Sequence, residues 1–226
     1  MTRLLRCVAY FLLCVPAVLA AKDLSGLYDH ATLEHWKPRY ERSTTKILEQ
    51  VIAPVLLTQE KQRLGNVRLD FLLYGEGRAK EHPLQFYVPP DGSRVVMPIA
   101  SLKFLDDLCT AYAWLHINGY SLETISEYTA MLRYKDFPEG RYPRPLQALR
   151  IPDDALKDPR VDELALGHFV TARTFILLHE LGHIFHNHRG STVQNEQQAD
   201  RFAPSRFQQK FGTYLSGKWQ EFRSDL

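Results

Sequence analysis

Hydrophobic spacing divides the chain into stretches of different period. From Ser43 to Leu64 the apolar residues Ile47, Leu48, Val51, Ile52, Val55 and Leu56 recur at helical intervals, and Gly65 ends the run. Pro54 predicts a kink or split within it. The preceding stretch, Asp23 to Tyr40, has no period and carries Gly26 and Pro38 as breakers, so it reads as irregular. Three runs of strand character follow: Val67 to Tyr74, Leu84 to Val88 and Arg94 to Ile99. Pro89-Pro90-Asp91-Gly92 is a turn between the last two, and the set predicts a small, mainly antiparallel meander.

Beyond the strands the period becomes helical again. Ser101 to Ile117 places Leu102, Leu105, Leu108, Cys109 and Tyr112 on one face, with Ser101 as the expected cap and Asn118-Gly119 as the stop. Ser121 starts a further helix to about Tyr134. Residues 135–160 hold five prolines and no period, which predicts an ordered surface loop near a site rather than a linker between domains. Asp158-Pro159 is a strong helix start, with a capping aspartate and a proline at the first helical position. The helix it opens runs through His183, with Gly167 as its expected weak point. Leu177, Leu181 and Ile184 lie opposite His179 and His183, with Leu178 and Phe185 on the flanks, so the helix is buried on most sides and exposes a histidine edge. A last helix covers 194–203, and Pro204 predicts that it kinks or ends there.

Composition adds a destination. Arg3 and Arg6, the apolar run Cys7 to Ala21 and the small-residue site Val18-Leu19-Ala20 read as a signal peptide over residues 1–20. The run is short for a membrane span, so the reading is an exported protein, periplasmic or secreted, and an uncleaved signal acting as a membrane anchor is the alternative. Residues 21–226 then form a single domain with one cysteine, Cys109, which excludes a disulfide scaffold and reads as a core residue. Removing Arg3 and Arg6 from the 28 basic residues leaves 26 against 26 acidic ones. That balance excludes an electrostatic surface for nucleic acid or anionic lipid. No stable membrane insertion is expected once the signal is cleaved, and nothing in the sequence specifies an oligomer.

The chemistry is concentrated in two short segments. His179-Glu180-Leu181-Gly182-His183 puts two imidazoles one turn apart on one helical face, within about 40° of each other. Thirteen residues after His183 comes Glu196-Gln197-Gln198-Ala199-Asp200, with two acids one turn apart. Two histidine nitrogens and a carboxylate from this second segment are the donors that a catalytic zinc ion uses, leaving one position open. Glu180 lies about 100° around the helix from His179, where it can take a proton from attacking water without binding the metal. Glu196 and Asp200 can exchange the ligand role on spacing alone. His186 and His188 stand near the ligand face and, with Tyr214, are candidates for lining the cleft or donating to an oxyanion; for the two histidines the other reading is polar residues at a helix C-terminus.

These two segments resemble the gluzincin pattern, HExxH followed by ExxxD, of zinc peptidases. Their short interval is similar to that of compact Ste24/HtpX-like and ImmA/IrrE-like peptidases rather than thermolysin. The likeness covers only about residues 170–205. The four transmembrane spans of the Ste24/HtpX-like form are missing, and the metzincin pattern fails because Arg189 and His186 stand at its third histidine and its glycine. The resemblance implies a zincin-like α+β fold built on a central HExxH helix, with one Zn2+ held by His179, His183 and Glu196. It further implies Glu180 as general base and Asp200 as the carboxylate orienting the first histidine, with peptides or proteins as substrates. By the same resemblance Arg94 to Ile99 is an edge strand for peptide, the other reading being a core strand. A zinc-binding regulatory or scaffold protein without turnover is the competing function.

Overall fold

The computed structural model describes residues 24–77, 82–135, 137, 142–190 and 192–207. The expected signal peptide at 1–20 and Tyr214 lie outside the described residues. Seven helices are labelled in chain order: α1 (His30–Ile47), α2 (Thr58–Leu64), α3 (Ile99–Ile117), α4 (Glu123–Tyr134), α5 (Pro145–Ala148), α6 (Pro159–Phe185) and α7 (Val193–Phe207). Two short strands, β1 (Arg68–Asp70) and β2 (Arg94–Val96), lie between α2 and α3, so the architecture is mostly helical α+β. Among the described residues no helix is long and apolar enough to cross a membrane.

The 27-residue α6 is the axis of the fold. Asp158 caps it by accepting from the Arg160 N–H, and Pro159 occupies its first turn, as the sequence predicts. Gly167 does not break it. The cost of an interior glycine, about 1 kcal/mol, is outweighed by burial on both sides of it, at Val161, Ala165, Phe169 and Val170. Every residue from Ala172 to Gly182 is buried. α6 packs most extensively against α3 and α7, which explains why its apolar residues show no single face.

The amino-terminal stretch departs from expectation. Residues 30–47 are helical through Pro38 rather than irregular. Asp29 caps this helix by accepting from the Thr32 N–H, and Leu33, Tyr40, Ser43, Thr44 and Ile47 form its buried stripe. Tyr40 is fully buried, stacks on Trp36, meets Phe169 edge-on and donates its hydroxyl to Asp106 at 2.7 Å. Such packing outweighs the roughly 3 kcal/mol that an interior proline costs. Pro54 acts as predicted: the helical path widens to a π turn over Leu48–Ile52, continues only to Val55, and restarts at Thr58.

The sheet corrects the antiparallel expectation. β1 pairs with β2 in parallel, Leu69 opposite Val95. The Pro89–Gly92 turn does form, closed by the Gly92 N–H on the Pro89 carbonyl at 2.9 Å with Gly92 at φ +67°. It reverses the chain so that Tyr87 bridges Val96 antiparallel. β1 lies on the other side of β2 from Tyr87 and runs parallel to it. β2 is therefore bonded on both sides, through Val96 to Tyr87 and through the Met97 N–H to the Asp70 carbonyl. Val95, Val96 and Met97 are fully buried. It is a core strand, not an edge open to peptide.

The proline-rich segment is ordered where described: α5 and a 3₁₀ turn at Ala155–Lys157 bring Ile151 and Ala155 into a cluster with Ala111 and Leu115 of α3. α7 does not end at Pro204 but continues to Phe207, with Phe202 and Ala203 in the core. Cys109 is buried, as expected of a core residue, and desolvation holds its thiol well above the ordinary range.

One polar group in the core was not foreseen. Arg173 of α6 is fully buried, donating Nη1 to Ser43 Oγ at 2.6 Å and Thr44 Oγ1 at 3.2 Å, with its guanidinium over the Phe169 ring. Its Nε and Nη2 have no hydrogen-bond partner among the described residues. Burial lowers its pKa to about 10 against the opposing field of Asp106, so it stays charged at neutral pH. Arg173→Ala is expected to lose about 3–5 kcal/mol of stability, and Arg173→Met to recover most of it. Urea denaturation of the two variants checks the order; equal losses would mean that the charge, not the filled volume, joins α6 to α1.

Candidate metal centre

The carboxyl end of α6 is closed by a Schellman turn. The Asn187 N–H bonds the Ile184 carbonyl at 3.1 Å and the His188 N–H bonds the His183 carbonyl at 2.9 Å. Asn187 takes the left-handed conformation at φ +56°, which asparagine tolerates better than most residues. Arg63 of α2 caps the same end, donating to the Phe185 and Ile184 carbonyls at 2.6 Å each and to Asn187 Oδ1 at 2.7 Å. A cation on the last carbonyls of a helix adds hydrogen bonds there and complements the helix dipole. This turn folds His188 back beside His183.

After Gly190, Thr192 opens α7 by accepting from the Asn195 N–H at 3.2 Å. α7 then lies against α6 where both are thin. Gly182 faces Ala199 and Phe202, and a Cβ built at 182 would stand 3.1 Å from the Ala199 Cα and 3.2 Å from the Phe202 Cβ. Arg206, in the last turn of α7, pairs with Glu60 of α2. The helix is thus held at both its middle and its end, and Glu196, Gln198 and Asp200 face α6.

The structure brings His179, His183 and Glu196 together. The two Nε2 atoms are 3.1 Å apart, and Glu196 Oε2 lies 3.3 Å from that of His179 and 3.5 Å from that of His183. Nitrogen and oxygen ligands about 2.0–2.2 Å from a tetrahedral ion stand about 3.3–3.6 Å from one another. The two edges to Glu196 fall in that range and the edge between the two Nε2 atoms is about 0.2 Å shorter, so the set fits one ion held by three protein ligands.

The two acids of the second segment occupy different places. Asp200 Oδ1 sits 3.0 Å from Nδ1 of His179, behind the ring, whereas Glu196 faces the Nε2 pair. Burial alone would lower the His179 pKa, but hydrogen bonds to Asp200 and Glu196 outweigh it and raise it to about 10. Glu180 is buried beside these residues; desolvation raises its carboxyl above the ordinary range, against the opposing charges of His179 and His183.

His188 and His186 are engaged on the protein side. His188 Nδ1 lies 3.0 Å from His183 Nδ1 and its Nε2 lies 3.1 Å from Gln198 Oε1. Gln198 Nε2 is 3.0 Å from His186 Nδ1, and desolvation with the neighbouring His188 lowers the His186 pKa. Gln198 and Arg63 have no counterpart in the sequence reading. Gln198 could have been noticed, since it stands between Glu196 and Asp200 in the same segment. Arg63 leaves no local signal, lying 121 residues from Ile184.

Comparison with known families supports a peptidase. The matching family model is that of Peptidase U49, over residues 120–224, a little under half of the chain. That span contains α4 to α7 and the donors of His179, His183 and Glu196. No curated protein and no solved structure matches the chain.

Gly182→Ala tests the helix contact. Alanine gains about 1 kcal/mol of helix propensity, but overpacking of about 1–3 kcal/mol opposes it, because the Ala199 backbone cannot rotate away. A net loss is expected, measured as a lower urea midpoint with unchanged slope. A higher midpoint would show that α7 moves outward freely.

Proposed function

We propose that the protein is an exported, zinc-dependent peptidase of gluzincin type, hydrolysing peptide bonds in peptides or proteins. The observation that carries the reading is the triangle of His179 Nε2, His183 Nε2 and Glu196 Oε2, sized for one tetrahedral ion. Export rests on the character of residues 1–20. The zincin-like character rests on an α6 buried along its length with its two histidines beside a carboxylate from the next helix.

In this reading His179, His183 and Glu196 are the ligands, and Asp200 holds the His179 ring so that Nε2 presents its lone pair. When bound, zinc polarises the scissile carbonyl and makes water acidic enough to be deprotonated near neutral pH. Glu180 then accepts the proton of the attacking water and delivers it to the leaving nitrogen. Its buried position suits that role, since desolvation raises the affinity of the carboxylate for a proton. The arrangement of the two acids favours Glu196 over Asp200 as the third ligand, because only Glu196 faces both Nε2 atoms.

Metal analysis of the purified protein is expected to find one zinc per chain. Glu180→Gln is expected to keep the metal and lose about 10²–10⁴-fold in peptide cleavage. Cleavage at the native rate would remove Glu180 from the mechanism, and partner binding without cleavage by the native chain would point to the regulatory alternative. His183→Ala and Glu196→Ala are expected to lose stoichiometric metal, whereas Asp200→Asn weakens it only about 10–100-fold. The reverse order for Glu196 and Asp200 would exchange their roles.

A further inference from the structure

We propose that His188 is a positioning residue for His183, and that Gln198 sets the tautomer through which it acts. The inference rests on His183 being a metal ligand, as proposed above. His183 has two ring nitrogens with different duties: Nε2 faces the donor triangle, and Nδ1 lies 3.0 Å from Nδ1 of His188. Two ring nitrogens at that distance share one proton, so one donates and the other accepts.

Gln198 decides which. Its Oε1, 3.1 Å from His188 Nε2, can only accept, so His188 carries its proton on Nε2. The Nδ1 of a neutral His188 is then a bare acceptor, and the shared proton resides on His183 Nδ1. His183 Nε2 is thereby left with a free lone pair pointing at Glu196 and His179. The other end of the amide agrees, since Gln198 Nε2 can only donate and meets His186 Nδ1 at 3.0 Å. Gln198 is held between two rings with its oxygen toward one and its nitrogen toward the other.

The backbone supplies the remaining restraint. The His188 N–H is bonded to the carbonyl of His183 itself, so ring and main chain of the two residues are joined twice. Among the described residues His188 is the hydrogen-bond partner of His183 Nδ1, so its loss removes the restraint on that side of the ring. The first ligand is oriented by a carboxylate from α7, and the second by an imidazole that α7 in turn orients. Both histidines thus depend on one helix, through Asp200 and Gln198.

The test uses the full chain with Zn2+ and Co2+ as probes, read by chelator competition and by the Co2+ absorption spectrum. His188→Ala is expected to weaken metal binding about 10–100-fold and to alter the cobalt spectrum. His188→Asn, whose amide oxygen can stand where the ring Nδ1 stood, is expected to restore most of the affinity and the native spectrum. Gln198→Glu, which keeps the acceptor, is expected to bind metal more tightly than Gln198→Leu, which removes it. Nitrogen NMR of the zinc-loaded native chain, independent of any variant's folding, is expected to find protons on His183 Nδ1 and His188 Nε2. A proton on His188 Nδ1, or native affinity in His188→Ala alongside weakened binding in Asp200→Asn, would overturn the assignment while leaving the metal site intact. Failure of the native chain to bind either ion would overturn the metal reading and this assignment with it.

Discussion

The close contact of two helix backbones at Gly182 and Ala199 is the constraint on which the rest of the site depends. A side chain at 182 would meet the Ala199 Cα at 3.1 Å, so α7 can lie this near only because α6 has no Cβ there. Glu196 and Asp200 are short levers, one turn apart on α7 with Gln198 midway between them, and they reach the α6 histidines only at this separation. The burial of Ala199 and Ala203 shows the same thinning on the α7 side. Small residues therefore do more to place the donors than the donors do for themselves. They set a distance that no charge or hydrogen bond at the site could impose against the bulk of two ordinary helices.

Around that contact, polar groups divide the work by position rather than by type. The two acids of Glu196-Gln197-Gln198-Ala199-Asp200 are chemically alike, yet one faces the imidazole Nε2 pair and the other stands behind His179. The three histidines after Glu180 differ as well: His183 turns Nε2 inward, while His188 and His186 meet on Gln198. The Schellman turn at the end of α6 produces this arrangement, because it directs His188 back along the helix instead of onward into solvent. Arg63 holds that turn from outside the local sequence, donating to the carbonyls of Ile184 and Phe185 at the helix end. His188 and Gln198 thus stand behind His183, and the Asp200 carboxylate stands behind His179.

Elsewhere the same competition between local preference and tertiary packing recurs. Pro38 and Pro204 sit inside helices, and Gly167 interrupts nothing, because each is flanked by residues buried against other elements. Pro54 behaves as its chemistry dictates, and the helix ends one residue after it. The Pro89–Gly92 turn was legible, since proline and glycine encode its geometry directly. Which side of β2 the first strand would join was not, because that depends on how the intervening excursion packs. The buried Arg173 was equally hidden: an arginine in an apolar helix has no period that marks it as inward.

By itself the sequence determined the capped start of α6, its burial along most of its girth, the pairing of His179 with His183, and the presence of two acids one turn apart. These are properties of one or two turns of helix, written in i, i+4 spacing and in caps. Tertiary structure decided which acid faces the histidine pair, that the sheet is parallel, that β2 is interior, and that His188 and Gln198 back the second histidine. Each of those depends on the distance and rotation between elements far apart in the chain. That relation is set by the volumes meeting at Gly182, Ala199 and Phe202, and residue spacing along a single helix carries no record of it.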